Sequence, residues 1–235
     1  MDSGAHDRDL TDVFHHGRSG LSPASRLLFW CTLFGVAFGY IEGSVVVYLR
    51  ELLYPEGFGF PLQDIPARLL RVEIVREAAT LLVLGAFARL ATTGGVRRFA
   101  VFAFCFGIWD LVYYLTLKLS LGWPASILDW DVLFLIPVPW LAPVLAPVLV
   151  SLALVAAAAV ILRASEPSIR PVDWMLEVTA GVLILASFFT NTPAVLAGEA
   201  PGNYPWALFS VGWVGGIAWF AVRALRSVAA RPADR

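Results

Sequence analysis

Residues 27–49 read LLFWCTLFGVAFGYIEGSVVVYL, a run in which Glu42 is the only charged residue. A membrane-spanning helix needs about 20 consecutive apolar residues, so this run predicts a transmembrane helix. Gly35, Gly39 and Gly43 recur at every fourth position, and a stripe of small residues allows a second helix to approach closely. Glu42 shares roughly that face, so we expect it to point at a neighbouring helix and not at lipid.

The rest of the chain has the same apolar character. Of its 235 residues 59% are hydrophobic and 15% are charged, with a mean hydropathy of +0.75, whereas soluble domains are about half apolar and a quarter charged. The predicted fold class is therefore all-α, a polytopic transmembrane helical bundle. A net charge of -1 gives no indication of nucleic-acid binding. Six spans are predicted, at 27–49, 69–91, 99–119, 140–163, 173–190 and 205–225.

The distribution of arginine predicts how the bundle sits in the membrane. Arginines are concentrated in both tails and in the second and fourth loops, and basic loops favour the cytoplasmic side. We therefore expect a flexible cytoplasmic tail at 1–25, one transmembrane domain at 26–226 and a cytoplasmic C-terminal tail at 227–235. Lys118 is the only lysine, a preference for arginine that fits a GC-rich bacterium, so the expected location is the bacterial cytoplasmic membrane.

Four acidic side chains fall inside the first three predicted spans: Glu42, Glu73, Glu77 and Asp110. With both termini cytoplasmic, all four lie roughly 6 to 14 Å below the outer surface, at a rise of about 1.5 Å per residue. Carboxylates at membrane depth are rare and usually face the bundle interior or a wet cavity. Three helices thus bring carboxylates to one layer, which predicts a polar pocket open to the exoplasmic side.

The second span carries a polar stripe. Glu73, Arg76, Glu77 and Thr80 follow i, i+3, i+4, i+7 spacing, which places them on one helix face. Arg76 is within helical reach of both glutamates and would favour their ionised forms. The stripe is either an ion-pair network near the interface, or an arginine-oriented carboxylate that binds a cation or moves a proton.

The third span repeats the pattern with different groups. Asp110, Tyr114 and Lys118 recur every four residues, with Tyr113 beside them. Lys118 can reach the interface through its long stem. An aspartate flanked by tyrosines is a candidate proton carrier, general base or cation ligand.

Two further acids, in the Asp129-Trp130-Asp131 element, follow the third span. Paired carboxylates of this spacing can hold a divalent cation. The alternative is a capped loop in which Asp129 or Asp131 begins a short helix.

Prolines interrupt the next segment at positions 137, 139, 143 and 147. Each proline removes a backbone donor and disturbs a regular helix, and irregular backbone at membrane depth must be buried in protein or line a cavity. We expect a broken or re-entrant segment before the fourth span, hairpin-like from Trp130 to Pro139, as a wall of the acidic pocket. A kinked packing helix is the alternative.

The metal and cofactor requirement stays open. His6, His15 and His16 are the only histidines and all fall in the N-terminal tail, so no haem or zinc site is expected in the spans. A divalent cation fits the acidic groups. Cys31 and Cys105 fall inside spans with no CxxC motif, and we interpret both as small buried residues.

One stretch resembles known sequences. Residues 107–114, GIWDLVYY, together with the later Trp-Pro, Asp-Trp-Asp and Ile-Pro-Val-Pro-Trp elements, resemble a group of bacterial polytopic membrane proteins to which no activity is assigned. The resemblance covers roughly residues 30–150. It implies a membrane protein and no particular reaction.

These patterns favour a membrane enzyme that performs acid–base chemistry on a lipid-like substrate. Asp110 and Glu77 would be the acid–base pair and Arg76 would orient them. The alternatives are a small proton- or cation-coupled transporter or channel, and an accessory subunit of a membrane complex. A transporter usually carries polar groups across the whole bilayer, often in internal repeats, whereas here they are concentrated in the outer half.

The expected partners are the bilayer, a lipid-like or small-molecule ligand and other helices, and not nucleic acid. The predicted binding residues are Glu42, Glu73, Tyr113, Tyr114, Lys118, Asp129 and Asp131.

Overall fold

The computed structural model describes residues 22–164 and 170–229. Its helices are α1 (Pro23–Leu53), α2 (Ala67–Ala91), α3 (Gly95–Leu121), α4 (Leu145–Arg163), α5 (Pro171–Phe189), the short α6 (Thr192–Leu196) and α7 (Trp206–Ala229). Strands β1 (Trp130–Phe134) and β2 (Trp140–Pro143) lie between α3 and α4. The predicted all-α helical bundle is confirmed.

The ends of the bundle differ slightly from the predicted boundaries. Helix α1 begins at Pro23, inside the range predicted as a flexible tail, and Ser22 caps it by accepting from the backbone of Ser25. Helix α7 continues to Ala229, past the predicted end of the domain. The remainder of both predicted tails, with the three histidines, lies outside the described residues.

Within residues 22–164 and 170–229, five helices are long and apolar enough to cross a membrane: α1, α3, α4, α5 with its extension to Leu196, and α7. The remaining predicted span, 69–91, corresponds to α2, which has 25 residues but carries too many charged side chains to count among these apolar helices. Some of these charged side chains face the protein interior, since Glu73 and Glu77 on α2 are buried, as is the polar Thr80. Helix α2 therefore combines the length of a span with a polar inner face.

The glycine stripe of α1 packs directly on α3, as its spacing predicted. A Cβ atom placed on Gly39 would lie 2.6 Å from the carbonyl oxygen of Trp109, and one on Gly35 would lie 2.7 Å from Cγ2 of Ile108. No side chain fits at such distances, so only glycine permits this approach. The contact fixes Glu42, on the same part of α1, beside α2 and α3.

Two apolar clusters support the bundle. The first joins α1, α2, α3 and α4 and includes both cysteines, which are fully buried as predicted. The second joins β2, α5, α7 and the loop before α7, around Phe188, Tyr204 and Phe209. The Tyr204 hydroxyl lies 2.8 Å from that of Ser187 on α5, which anchors the loop.

The proline-rich segment is an antiparallel hairpin. Trp130 pairs with Pro143 and Asp131 with Ala142, and the register is irregular between Val132 and Phe134. The prediction of a broken, hairpin-like segment is confirmed, and the alternative of a kinked helix is wrong for 130–143. Neither aspartate of the Asp-Trp-Asp element begins a helix, since Trp130 begins a strand. Pro147 stands in the first turn of α4, where a helix does not need its backbone donor.

Candidate functional site

A polar cavity of about 140 Å³ lies at the end of the bundle where α1 and α3 end and α2 begins. The hairpin forms one wall, and Tyr54, Phe58 and Leu62 from the loop after α1 form another. Seven charged side chains line this cavity: Glu42, Glu73, Glu77, Asp110, Asp131, Arg50 and Arg76. All four acids predicted at membrane depth are therefore brought together.

Arg76 joins α2 to α1 through two carboxylates. Its Nε lies 2.9 Å and its Nη2 2.8 Å from Oε2 of Glu73, while Nη1 donates to Oε2 of Glu42. The Thr80 hydroxyl, 2.8 Å from the same Glu42 oxygen, lies on the polar stripe predicted for α2. One expectation is corrected: Arg76 pairs with Glu73 and Glu42 and not with Glu77, because the Glu77 side chain is directed to the hairpin.

Glu77 connects α2 to the hairpin. Its Oε2 accepts a hydrogen bond of 2.8 Å from the backbone N–H of Leu135. Leu135 immediately follows β1, where the strand pairing has ended, so this N–H has no partner in the hairpin ladder and is free to bind a side chain. Glu77 makes no ion pair with the described residues.

Asp110 connects α3 to α4. Its Oδ2 accepts a hydrogen bond of 2.7 Å from the hydroxyl of Ser151. The helices approach closely at this level, since a Cβ atom on Gly107 would lie 2.7 Å from the Ser151 carbonyl oxygen. Within the described part of the chain no cation pairs with Asp110.

Arg50 and Asp131 form a second buried ion pair. Nη2 of Arg50 lies 2.6 Å from Oδ1 of Asp131, and the Tyr114 hydroxyl donates to Oδ2 at 3.2 Å. The guanidinium stacks between two rings, 4.0 Å from the centroid of Phe58 and 3.7 Å from that of Trp123, which adds cation–π attraction. Burial raises the pKa of the Asp131 carboxyl, and the Arg50 guanidinium opposes that rise.

Two buried donors on the cavity wall lack an acceptor. Nη1 of Arg50 and Nε1 of Trp109 have no hydrogen-bond partner among the residues that the structure places. Both side chains line the polar cavity and are only 6% and 7% exposed. Buried donors are almost always satisfied in folded proteins, so these two are exceptions among the residues that line the cavity.

Two predicted binding residues lie elsewhere. Lys118 is exposed and its Nζ donates to the carbonyl oxygens of Gly122 and Pro124, at 3.1 and 2.7 Å, beyond the end of α3. Asp129 accepts from the backbone of Ser126 at 3.0 Å and closes a turn. Neither lines the polar cavity, whereas Tyr113 and Tyr114 do.

The Asp129–Asp131 pair is divided between a turn and an ion pair. One carboxylate binds the Ser126 backbone and the other binds Arg50. Within residues 22–164 and 170–229, no three His, Cys, Asp or Glu side chains are grouped so that they could hold a metal ion.

The residues predicted for the site did not include Arg50, Trp109 or Ser151. A signal for Arg50 was present: it stands seven residues after Gly43, so it shares the helix face of the glycine stripe. Trp109 and Ser151 carry no comparable signal, since a tryptophan and a single serine in apolar runs are common in any membrane helix.

A second, larger cavity of about 510 Å³ adjoins the polar one and lies among α3, α4, α5 and α7. Asp110, Leu133 and Phe134 line both cavities. The wall of the larger cavity is otherwise apolar except for Ser151 and Glu177. Oε1 of Glu177 is buried and has no hydrogen-bond donor in the described ranges.

Comparison with protein-family models, with curated proteins and with solved structures gave no match to the chain.

Proposed function

We propose that the protein is a membrane enzyme that performs acid–base chemistry on a lipid-like substrate, with Asp110 and Glu77 as the proton-exchanging groups. One observation carries the proposal. Three of the five carboxylates in the polar cavity are ion-paired with arginine, whereas Glu77 and Asp110 are each held by one neutral donor.

This difference separates structural from reactive carboxylates. An ion-paired carboxylate must lose its partner before it can take up a proton, whereas a group held by an amide or a hydroxyl can change its protonation state without breaking an ion pair. Glu77 and Asp110 each use one oxygen for that bond. The second oxygen has no donor in the part of the chain that the structure covers, so it is available to a bound ligand.

The adjoining cavity supports a lipid-like substrate. Ligand sites are mostly apolar, with a few polar groups that fix orientation. Here the polar cavity with its two reactive carboxylates meets the apolar cavity at Asp110, which lines both cavities. Arg76, fixed by Glu42 and Glu73, acts in this proposal as a positioning residue for the polar end of the substrate.

The proposed location is the bacterial cytoplasmic membrane with both termini in the cytoplasm and the polar cavity facing outward. The concentration of arginine in the tails and in the second and fourth loops supports this orientation. Fusions of a cytoplasmic and a periplasmic reporter to each terminus test it. Activity of the periplasmic reporter at either end would contradict it.

Turnover in a native lipid mixture tests the proposed reaction. The purified protein is reconstituted in liposomes of the total lipid extract of the producing bacterium, and the lipids are followed by mass spectrometry. We expect wild-type protein to convert one lipid class, and Asp110→Asn and Glu77→Gln to be slower by about 100-fold or more. The exposed Asp64→Asn and Glu51→Gln are matched controls that should keep the wild-type rate.

Unchanged rates in both cavity variants would overturn the acid–base assignment. Folded wild-type protein that converts no lipid in the extract would overturn the enzyme itself.

One observation favours a second candidate, a proton- or cation-coupled transporter. Asp110 on α3 and Glu177 in the first half of α5 line the same apolar cavity, so carboxylates extend from the polar cavity toward the opposite end of the bundle. Proteoliposomes with an internal pH-sensitive dye would then show proton flux that Glu177→Gln abolishes. An accessory subunit, the third alternative, would show neither turnover nor flux.

A further inference from the structure

We propose that the polar cavity binds the uncharged, hydroxyl-bearing head of a single-chain lipid whose apolar chain occupies the larger cavity. This inference rests on the proposed function and names its substrate class. It follows from three properties of the described residues: unsatisfied donors, available acceptors and the charge already present in the cavity.

The unsatisfied donors come from α1 and α3. Nη1 of Arg50 and Nε1 of Trp109 are buried on the cavity wall without an acceptor among the described side chains and backbone. Leaving such a donor unpaired is costly, and an oxygen atom of a bound head group would satisfy each of them. The head group must therefore present acceptor oxygens.

The available acceptors are on α2 and α3. Glu77 and Asp110 use Oε2 and Oδ2 for the Leu135 amide and the Ser151 hydroxyl, so Oε1 and Oδ1 are left for a ligand. A hydroxyl group both donates and accepts hydrogen bonds. Hydroxyl groups can therefore bind both the unsatisfied donors and the available acceptor oxygens. A group that only donates or only accepts can bind one kind and not the other.

The charge of the cavity argues against ionic head groups. Five carboxylates and two guanidiniums line it, and both guanidiniums are already paired with carboxylates. A phosphate or carboxylate head would find no free cation and would face surplus negative charge. An ammonium head would pair with Glu77 or Asp110 but would leave the donors of Arg50 and Trp109 without acceptors.

The larger cavity accommodates the chain. It has a volume of about 510 Å³, and its wall is apolar apart from Asp110, Ser151 and Glu177. Leu133 and Phe134 of β1 line both cavities, so a molecule can pass from one to the other along this strand. Gly181 of α5 lines the apolar part with no atom within 4 Å of a Cβ placed on it, so a larger side chain there would enter the cavity.

Binding of a defined lipid tests the inference apart from any reaction. The full-length protein, extracted in polymer-bounded bilayer discs, is titrated with radiolabelled 1-monooleoylglycerol. Oleic acid, oleyl phosphate and oleylamine serve as competitors with the same chain and a different head. We expect saturable binding of monooleoylglycerol and weaker competition, by about 10-fold or more, from all three charged lipids.

Two pairs of variants locate the head and the chain. Trp109→Phe keeps an aromatic side chain but replaces the indole with a smaller ring that has no N–H, and should weaken binding about 10-fold. Trp219→Phe removes another unsatisfied buried indole N–H, but from a residue that lines neither cavity, and should leave binding unchanged.

The second pair of variants tests the chain cavity: Gly181→Leu should abolish binding. Gly215→Leu, at an equally open glycine outside both cavities, should not. If Gly181→Leu does not fold, Ala157→Leu fills the same cavity.

Each outcome decides the matter. Equal affinity for charged and uncharged heads, or an unchanged affinity of Trp109→Phe, would overturn the head-group assignment. Binding that survives the filled cavity would overturn the chain assignment. Selective binding without any lipid turnover would leave this inference standing and would overturn the proposed enzyme instead. Turnover of a lipid that monooleoylglycerol does not displace would overturn the inference alone.

Discussion

Arg50 near the end of α1 and Asp131 in β1 form a buried ion pair with 2.6 Å between Nη2 and Oδ1, although 81 residues separate them. The pair attaches the hairpin to the first helix. It also holds the guanidinium between Phe58 and Trp123, so two loops, the hairpin and a helix end meet at one charged group.

Breaking this pair on one side should destabilise the fold strongly. Asp131→Asn leaves the buried guanidinium without a counter-ion, which we expect to lower the free energy of unfolding by about 3–5 kcal/mol. The double variant Arg50→Met, Asp131→Leu removes both charges and should lose less than Asp131→Asn alone. Chemical denaturation in detergent micelles measures both. A double variant that loses the sum of its two single variants would show that the charges are not coupled.

Close packing of α1 on α3 should tolerate no side chain at its centre. In Gly39→Ala the new methyl group would meet the Trp109 carbonyl oxygen at 2.6 Å, and we expect a loss of about 1–3 kcal/mol in unfolding free energy. Gly85→Ala on α2 has open space around it and should gain about 0.5–1 kcal/mol from reduced backbone freedom. Equal thermal midpoints for the two variants would refute the close contact.

Arg76 should be required for the stability of the fold, because it neutralises two buried carboxylates. Arg76→Met leaves Glu42 and Glu73 buried without a cation and should cost about 3–5 kcal/mol of unfolding free energy. Adding Glu42→Gln and Glu73→Gln to that variant should restore much of the loss. Arg71→Met, an exposed arginine on the same helix, should change stability by less than about 0.5 kcal/mol. Failure of the triple variant to recover would mean that Arg76 stabilises α2 by another route.

Both cysteines should be inert in the folded protein. Cys31 and Cys105 are 0% exposed in the cluster that joins α1 to α4, so a maleimide reagent cannot reach them before the bundle opens. We expect their labelling to follow the denaturation curve recorded by tryptophan fluorescence. Rapid labelling of native protein at the temperature of assay would show that this cluster opens locally.

Much of the fold could be predicted because membrane helices carry their own signal. Apolar length predicted the helices, the spacing of Gly35, Gly39 and Gly43 predicted the packed face of α1, and the prolines predicted the break before α4. Charge density is the reason that α2 differs from a standard span: the same Glu73, Arg76 and Glu77 that identify the candidate site reduce its hydropathy.

The partners of each charge could not be predicted, because they depend on the order and rotation of the helices. Arg76 was expected beside both Glu73 and Glu77 on its own helix; it pairs with Glu73, but its other partner is Glu42 on α1 and not Glu77. In the sequence, Asp131 was grouped with Asp129 as a candidate cation site, whereas in the structure it forms an ion pair with Arg50. Local spacing determines which side chains share a face, and only tertiary packing determines what that face meets.

The larger cavity lies among α3, α4, α5 and α7, four helices that each have the length and composition of a membrane span. If its ligand is the lipid proposed above, the concentration of that ligand is defined in the plane of the bilayer and expressed as a mole fraction of lipid. Diluting the protein in buffer would then leave occupancy unchanged, whereas adding inert lipid would reduce it. Affinities for this protein are therefore properly measured against the composition of the membrane and not against the volume of the sample.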